Sequence, residues 1–483
     1  MPLTRKGERV DEKVQAMDAL DERRRFVDLK SLSLSLFGFA FVRAWDDLAI
    51  AQLAGAFPEY PSVGQDLVSA GMLPVFILLI VASRRIAPLY RHRSLVYGAP
   101  ALMVAAVVVY GMAVASDEVS GPLVVAAALM AGVGAALSIL QWAELQSCLN
   151  SLQIVLYVSG SFFLGSAASW LCLGLDGQRL AVVMVFLPVL SLLSLRVGFS
   201  NVSAVDLPKS SWGRLRFPWK LVIVLGIYEF VMGVIQGSSS FGDGTLVVGV
   251  LLASAVLFVL AFFFSHRFDF TRIYRTPFVF MVCGLLATLL SVSAHATIAY
   301  LLVSIGYALM FLLLTMLLCD ISHRYGVSAA LLCSIEEVVM LTSMGGHALS
   351  WISDRGMLAG VMDGEGAAVA LTALVVIASV VLMSEREYSK WDASFFGVGQ
   401  RDRERDRRAA FAQRCISVAE RFHLSPREKE VFQLMAVGKS SSEIEGELYI
   451  ANGTLKSHTR RIYQKLGVHS RSEMMALLDD DAA

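Results

Sequence analysis

Charge is scarce in this chain. Asp, Glu, Lys and Arg make up 17% of its 483 residues, against about 25% in soluble domains. With 56% hydrophobic residues and a mean hydropathy of +0.62, most of the chain must face lipid. Acids and bases balance at 41 each, but they gather at the ends and in short loops, so zero net charge excludes no partner. Cysteine is sparse too. Cys148, Cys172, Cys283, Cys319, Cys333 and Cys415 form no C-x-x-C and have no His-rich neighbours, so they read as small apolar residues rather than metal ligands or disulfides. No receiver, kinase, Walker or metal signature occurs, so no cofactor, metal or catalytic residue is expected and the chain does not read as an enzyme. The N-terminus has no apolar run before about residue 31. It carries Arg5, Lys6, Arg9 and Arg23 to Arg25 among many acids, which is the pattern of a charged cytoplasmic segment, not of a signal peptide.

Long apolar runs are plentiful. A helix crosses a bilayer with about twenty mostly apolar residues. Such runs occur near 31–49, 66–83, 96–115, 122–141, 152–173 and 180–197, then near 219–237, 245–265, 277–293, 297–319, 328–351 and 366–384. The polar stretch NVSAVDLPKSSWGRLRFPWK separates the two sets of six. Lys and Arg mark the cytoplasmic loops. They fill the N-terminal tail, the second loop (Arg84, Arg85, Arg91, Arg93), the central loop (Lys209, Arg214, Arg216, Lys220) and the loop with Arg267, Arg272 and Arg275, and His323 and Arg324 follow in the tenth. The intervening loops AQLAGAFPEYPSVGQ, SDEVSG and GSSSFGDG carry none. An even number of spans then leaves both termini in the cytoplasm of a multi-pass inner-membrane protein.

Six plus six spans around a long cytoplasmic centre resembles the major facilitator superfamily of transporters over about residues 31–384. That family carries G-x-x-x-D-R-x-G-R-R in its second-to-third loop. The loop here reads SRRIAPLYRHR, basic but without the glycines and the aspartate.

The C-terminal residues lack acids where bases collect. Between Glu447 and Glu473 there is none, while Lys456, Arg460, Arg461, Lys465 and Arg471 fall in that gap. Each base that meets a phosphate releases counterions, so this polarity suits DNA. Ser425 and Glu428 have capping-box spacing around Pro426, and Gly438 ends the first helix. Ser441 or Ser442 can cap a second helix carrying Ile444 and Leu448. A third runs from about Thr454 to Leu466 with Leu455, Ile462 and Leu466 inward. Gly467 stops it, and a fourth spans Ser470–Leu478. A short helix, a tight turn and a basic helix make a helix-turn-helix, whose second member enters the major groove.

LSPREKEV at 424–431, EI at 443–444, Leu448, TLKSH at 454–458, Ile462, KLGV at 465–468 and SR at 470–471 resemble the LuxR-type output domain, that of NarL/FixJ regulators included. The family's alanine after EI is Glu445 here, and its serine cap before the recognition helix is Ala451, with Asn452 as the candidate substitute. The resemblance implies that Lys456, Ser457 and Arg460 face base edges while Thr454, Arg461, Lys465 and Arg471 hold phosphates. His458 reads as packed or phosphate-facing. Positions 456, 457 and 460 also share one exposed face by helical spacing. LuxR-type domains bind as homodimers through the last helix, for which Met474, Met475, Leu477 and Leu478 are candidates. The same residues equally suit the domain core.

Ionisable residues inside spans are costly and point to function. Arg43, Asp46 and Asp47 lie in the first span, Trp142 and Glu144 at the end of the fourth, Tyr228, Glu229 and Gln236 in the seventh, and Glu336 and His347 in the eleventh. Eleven residues apart, Glu336 and His347 return to nearly one face. A pocket between the two halves would collect such groups. Interfacial water around Asp46, Asp47 and Glu144, with a structural pair at Glu336, is the alternative.

The expected fold is all-α: a polytopic membrane bundle of about twelve spans followed by a cytoplasmic four-helix LuxR-type domain. The expected divisions are a charged segment 1–30, a membrane domain 31–384 with halves 31–197 and 219–384 around a central loop 198–218, a charged linker 385–415, and a DNA-binding domain 416–483. The expected partners are promoter duplex DNA, the lipid bilayer and an unidentified small molecule. The function these imply is a membrane-embedded one-component transcription regulator. A transporter with a DNA-binding tail and a regulator merely anchored by its bundle are the rival expectations.

Overall fold

The computed structural model describes residues 33–382 and 415–474, apart from interruptions at 116–119, 203–206, 209–216, 238–244, 264–272, 289–292 and 358–363 and a few single positions. The charged segments 1–30 and 385–414, the basic residues of the central loop at 209–216, Arg267 and Arg272, Gly438, and Met475, Leu477 and Leu478 lie outside the described residues. The chain divides into two compact units, Met1–Ser389 and Lys390–Ala483.

In the first unit α1 is Phe39–Ala56, α2 Ser62–Ile86, α3 Arg93–Ala115, α4 Gly121–Gln146, α5 Ser151–Cys172 and α6 Gly177–Ser200. Then follow α7 Trp219–Gln236, α8 Thr245–Phe263, α9 Thr276–Thr288, α10 Ser293–Tyr325, α11 Ala329–Val338, α12 Leu341–Asp354 and α13 Gly364–Leu382. With α11 and α12 counted as one, nine helices among the described residues are long and apolar enough to cross a membrane. Two more, α9 and the last, are apolar but shorter, and α1 is the span that carries Arg43, Asp46 and Asp47. The fold is therefore a helical membrane bundle, and the protein is a multi-pass membrane protein.

Polar side chains start several helices. Asn150 and Gln153 form a reciprocal capping box at α5, Asp176 accepts from Arg179 N–H at α6, and Ser328 accepts from Leu331 N–H at α11. Glycine sets the closest crossings. A Cβ at Gly132 of α4 would strike the Val68 carbonyl of α2, and one at Gly346 of α12 would strike the Phe230 carbonyl of α7. In lipid, where apolar faces gain little by hiding from tails, such close backbone approach holds helices together. The two halves meet where α5 runs along α8 and α2 along α11.

The eleventh span differs from expectation. It is broken at Val339 and Met340, whose N–H groups bond to the Glu336 and Glu337 carbonyls at 3.1 Å each. Thr342 at the start of α12 also donates to the Gly226 carbonyl of α7.

In the second unit a helical segment including Cys415 and 418–421 leads to α14 (Pro426–Ala436), α15 (Ser441–Leu448) and α16 (Asn452–Leu466). Their shared core holds Cys415, Val418, Leu424, Val431, Phe432, Ile444, Leu455, Ile462, Leu466 and Met474. Cys415 was expected at the end of the charged linker. It is only 2% exposed, because with Val418 and Ala419 it continues the apolar face at i, i+3 and i+4.

Candidate nucleic-acid interface and membrane cavity

The capping box at α14 forms as its spacing predicts. Ser425 N–H donates to Glu428 Oε2 at 2.8 Å, and Glu428 N–H reaches Ser425 Oγ at 3.4 Å. Lys465 Nζ completes this corner with a 2.7 Å contact to the same carboxylate and a 3.0 Å bond to the His423 carbonyl. Burial works to raise the Glu428 carboxyl, but the Lys465 and Ser425 hydrogen bonds outweigh it and bring it down to about 2. Arg471 turns inward too, its guanidinium donating through Nε and Nη2 to the Met435 carbonyl near the end of α14. The structure thus gives Lys465 and Arg471 intramolecular partners alongside the phosphate role expected of them. Both are bases placed where they satisfy carbonyls that a helix end leaves open.

The other expected DNA-facing side chains are free to serve. Thr454, Lys456, Ser457, Arg460 and Arg461 are exposed on α16, while Leu455, Ile462 and Leu466 face the core. Lys456 and Arg460 border a groove of about 710 Å³ along α16, together with Asn452, Thr459, Gln464 and His469. His458 is half-buried, and its Nδ1 has no hydrogen-bond partner among the described residues. Gly467 ends α16 in the left-handed conformation at φ 70°, which costs a residue without Cβ little.

Three local expectations change. Asn452 does not cap α16: the helix begins after Ala451 with no side-chain cap, and the Asn452 amide donates instead to Glu445 Oε1 at 2.5 Å. Glu445, which stands where the family has alanine, is half-buried and ties α15 to α16 through that bond. Met474 is fully buried in the core, the second of the two uses left open for it.

In the membrane unit, Arg43 is held by Asp46 Oδ2 at 3.1 Å and Asp47 Oδ1 at 3.2 Å. Ser169 of α5 donates to Asp47 at 3.1 Å, and the guanidinium lies 4.8 Å over the Phe162 ring. Arg43, Asp46, Asp47 and Phe162 line an internal cavity of about 150 Å³ that also receives Glu336, Glu337, Tyr307, Phe311, Phe39 and Gln146. Tyr307 donates to Glu229 Oε1 at 3.0 Å, and Thr315 to Glu336 Oε1 at 2.7 Å. The structure thus brings Arg43, Asp46, Asp47 and Glu336 to one cavity, with Glu229 one hydrogen bond behind it.

Other candidates lie elsewhere. Glu144 turns to the α2–α3 loop, where it accepts from Leu89 N–H at 2.7 Å and Tyr90 N–H at 3.1 Å. Trp142 donates to Ser191 of α6 at 2.8 Å. Both follow from α4 being buried on several sides, so that Trp142 and Glu144 find partners away from the cavity. Tyr228 is buried in α7 but does not border the cavity. Glu336 and His347 do not share a face, because three turns return to one azimuth only in an unbroken helix. His347 instead meets Asp66 at 2.7 Å and Gln236 at 3.4 Å, bridging the start of α2 to the end of α7. A second bridge joins the halves at the other end of the bundle. Ser151 of α5 donates to Asp320 of α10 at 2.5 Å, and Arg324 donates to Ser151 at 3.1 Å. His323 contacts the Ser147 carbonyl at 2.9 Å. Sequence reasoning missed Glu337 and Tyr307. The consecutive acids Glu336 and Glu337 were a signal for the first. Tyr307 sits in an apolar run that offers none.

A helical membrane bundle and a C-terminal helix-turn-helix on one chain define a membrane-spanning DNA-binding protein. Residues 423–478 match the family described as bacterial regulatory proteins, luxR family. The spore germination protein GerE of Bacillus subtilis is 42% identical over 55 residues, which are 11% of this chain and 74% of GerE. The chain belongs to the luxR family. The "Probable transcriptional regulatory protein NarL" of Mycobacterium tuberculosis (strain H37Rv) is 47% identical over 53 residues, 11% of this chain and 24% of that protein, so the chain spans about a quarter of NarL's length. The membrane unit shares the fold of major facilitator transporters. The human organic anion transporter MFSD10 superposes with a TM-score of 0.51 at 12% identity, over 72% of this chain and 99% of its own. The proton:xylose symporter XylE gives 0.52 at 10%, over 72% and 94%.

Proposed function

We propose that the chain is a membrane-embedded one-component transcription regulator, in which the bundle binds a small molecule and the C-terminal domain occupies promoter DNA. The observation that carries this reading is the pairing, on one chain, of an exposed basic recognition helix with an internal cavity built from buried charges. Neither feature is explained by stability alone: intramembrane charges are expensive, and an unopposed basic face repels itself. Segments 1–30 and 385–415 serve as cytoplasmic flanks and tether. Lys456, Ser457 and Arg460 read bases, and Thr454, Arg461 and His458 meet the backbone, with pairing of two copies on DNA through the last helix. A ligand biases such a protein only by binding two bundle states unequally.

The transporter-like fold favours one rival, a carrier with a DNA-binding tail. Promoter occupancy by the full-length protein in cells, mapped by crosslinking, tests the first reading. Occupied promoters whose output is lost in a Lys456→Ala, Arg460→Ala double variant support it, and absence of any discrete occupied site sinks it. Uptake into vesicles holding the purified protein, with no effect of the same double variant on promoters, would favour the carrier.

A further inference from the structure

The internal cavity is lined by more acids than bases. Asp46, Asp47, Glu336 and Glu337 line it, and Glu229 stands behind Tyr307. Arg43 is the only Lys, Arg or His among the lining residues, and its guanidinium is taken up by Asp46 and Asp47. Among the described lining residues no second Lys, Arg or His stands beside Glu336 and Glu337. Two carboxyl oxygens, Asp46 Oδ1 and Glu336 Oε2, are buried without a hydrogen-bond partner among the described residues, on side chains of residues 6% and 1% exposed. Leaving such an oxygen bare is costly, and natural interiors rarely do it without a reason. The walls supply the rest of a cation's preferred surroundings. Phe162 already carries Arg43 on its face, and Tyr307 stacks near Phe311 with ring centres 6.4 Å apart. Cations favour such ring faces. Among the described residues no group of acids, His and Cys could hold a metal ion, so these rings suit an organic cation better.

We propose that this cavity binds a small organic cation, its ammonium group meeting Asp46 Oδ1, Glu336 Oε2 and Glu337 and its apolar body lying against the aromatic rings. Two donors in the lining are also unpartnered, Arg43 Nε and Gln146 Nε2. They fit a hydroxyl or other acceptor beside the ammonium. The inference rests on the reading that the bundle takes a ligand, and it names the class of that ligand.

The test uses the full-length protein in detergent near neutral pH, with three probes that share a phenyl ring and a hydroxyl. They are phenylethanolamine (an ammonium), phenylethanediol (neutral) and mandelate (an anion). At about 10 mM, phenylethanolamine is expected to raise the midpoint of thermal unfolding by about 2 °C, with no rise from the other two. In Glu336→Gln and in Glu337→Gln the rise should vanish, each variant being measured against its own unliganded midpoint. Should one variant give no cooperative transition, the other decides. A rise with mandelate or the diol equal to that with the amine, no rise with the amine, or a rise unchanged in the variants overturns the proposal. Promoter occupancy keeps the two readings apart. Amine binding that leaves occupancy unchanged supports the ligand class and removes the sensing role, while occupancy that answers to mandelate alone keeps sensing and removes the class.

Discussion

At the scale of single residues, the second unit turns on one buried carboxylate. Glu428 is 3% exposed and closes the start of α14 while bonded to Lys465. Its acidity, brought down to about 2, lies below the ordinary glutamate value of about 4.3. The stability it contributes is therefore fully present above about pH 4.3 and disappears as pH falls through about 2. Because Lys465 is 39% exposed in its side chain, solvent screens the pair, and the contribution is on the order of 2 kcal/mol. Glu428→Gln should cost about that much at neutral pH and nearly nothing near pH 2, read by thermal unfolding of the excised domain. Lys465→Ala should then act chiefly on stability, whereas Lys456→Ala and Arg460→Ala should each remove about 1–3 kcal/mol of operator preference with little change in folding. Operator-against-random binding measured beside unfolding separates the two kinds of residue. An equal loss of specificity from all three would return Lys465 to the DNA face.

At the scale of elements, α16 is the place where sequence and structure can be held side by side. Its inward residues, its Gly467 stop and the exposure of Lys456 and Arg460 were all legible, because helical period and glycine's left-handed freedom are local properties. Its start was not. Asn452 is a good capping residue by type, yet Glu445, seven residues back on α15, takes its amide. That competition is set by the turn between two helices and not by either alone. Ala451 holds the extended conformation of a cap, φ −72° and ψ 153°, without a side chain to use it. Ala451→Ser should raise the stability of the domain by about 1 kcal/mol, seen as a higher denaturant midpoint with an unchanged slope. No gain would mean that water or the Glu445–Asn452 bridge already satisfies the helix start. In the membrane unit the same contrast recurs. The apolar runs showed where the helices lie. The break at Val339 and Met340, which sends Glu336 to Thr315 and His347 to Asp66, depends on how α12 packs on α7, and no window of sequence contains both.

At the scale of the whole molecule, the DNA-binding unit is useful only on the side of the membrane that holds DNA. The basic even-numbered loops predict that residues 1–30 and 385–483 lie in the cytoplasm. A cysteine at Ser239 in a version without native cysteines should label with a membrane-impermeant thiol reagent in intact cells or spheroplasts, and one at Ser210 only after lysis. Labelling at Ser210 from outside would invert the second half and end the regulator reading. The bundle's two cross-half bridges carry a consequence in time. Asp66, His347 and Gln236 join the halves at one end, and Ser151, Asp320 and Arg324 join them at the other. If the proposed cation reaches the cavity between them only when one bridge parts, it waits on a collective opening of microseconds to milliseconds or longer. Entry then runs at the rate of opening, not of encounter, and levels off however much ligand is supplied. On the proposed reading, a gene governed through such a gate would ignore bursts shorter than that opening.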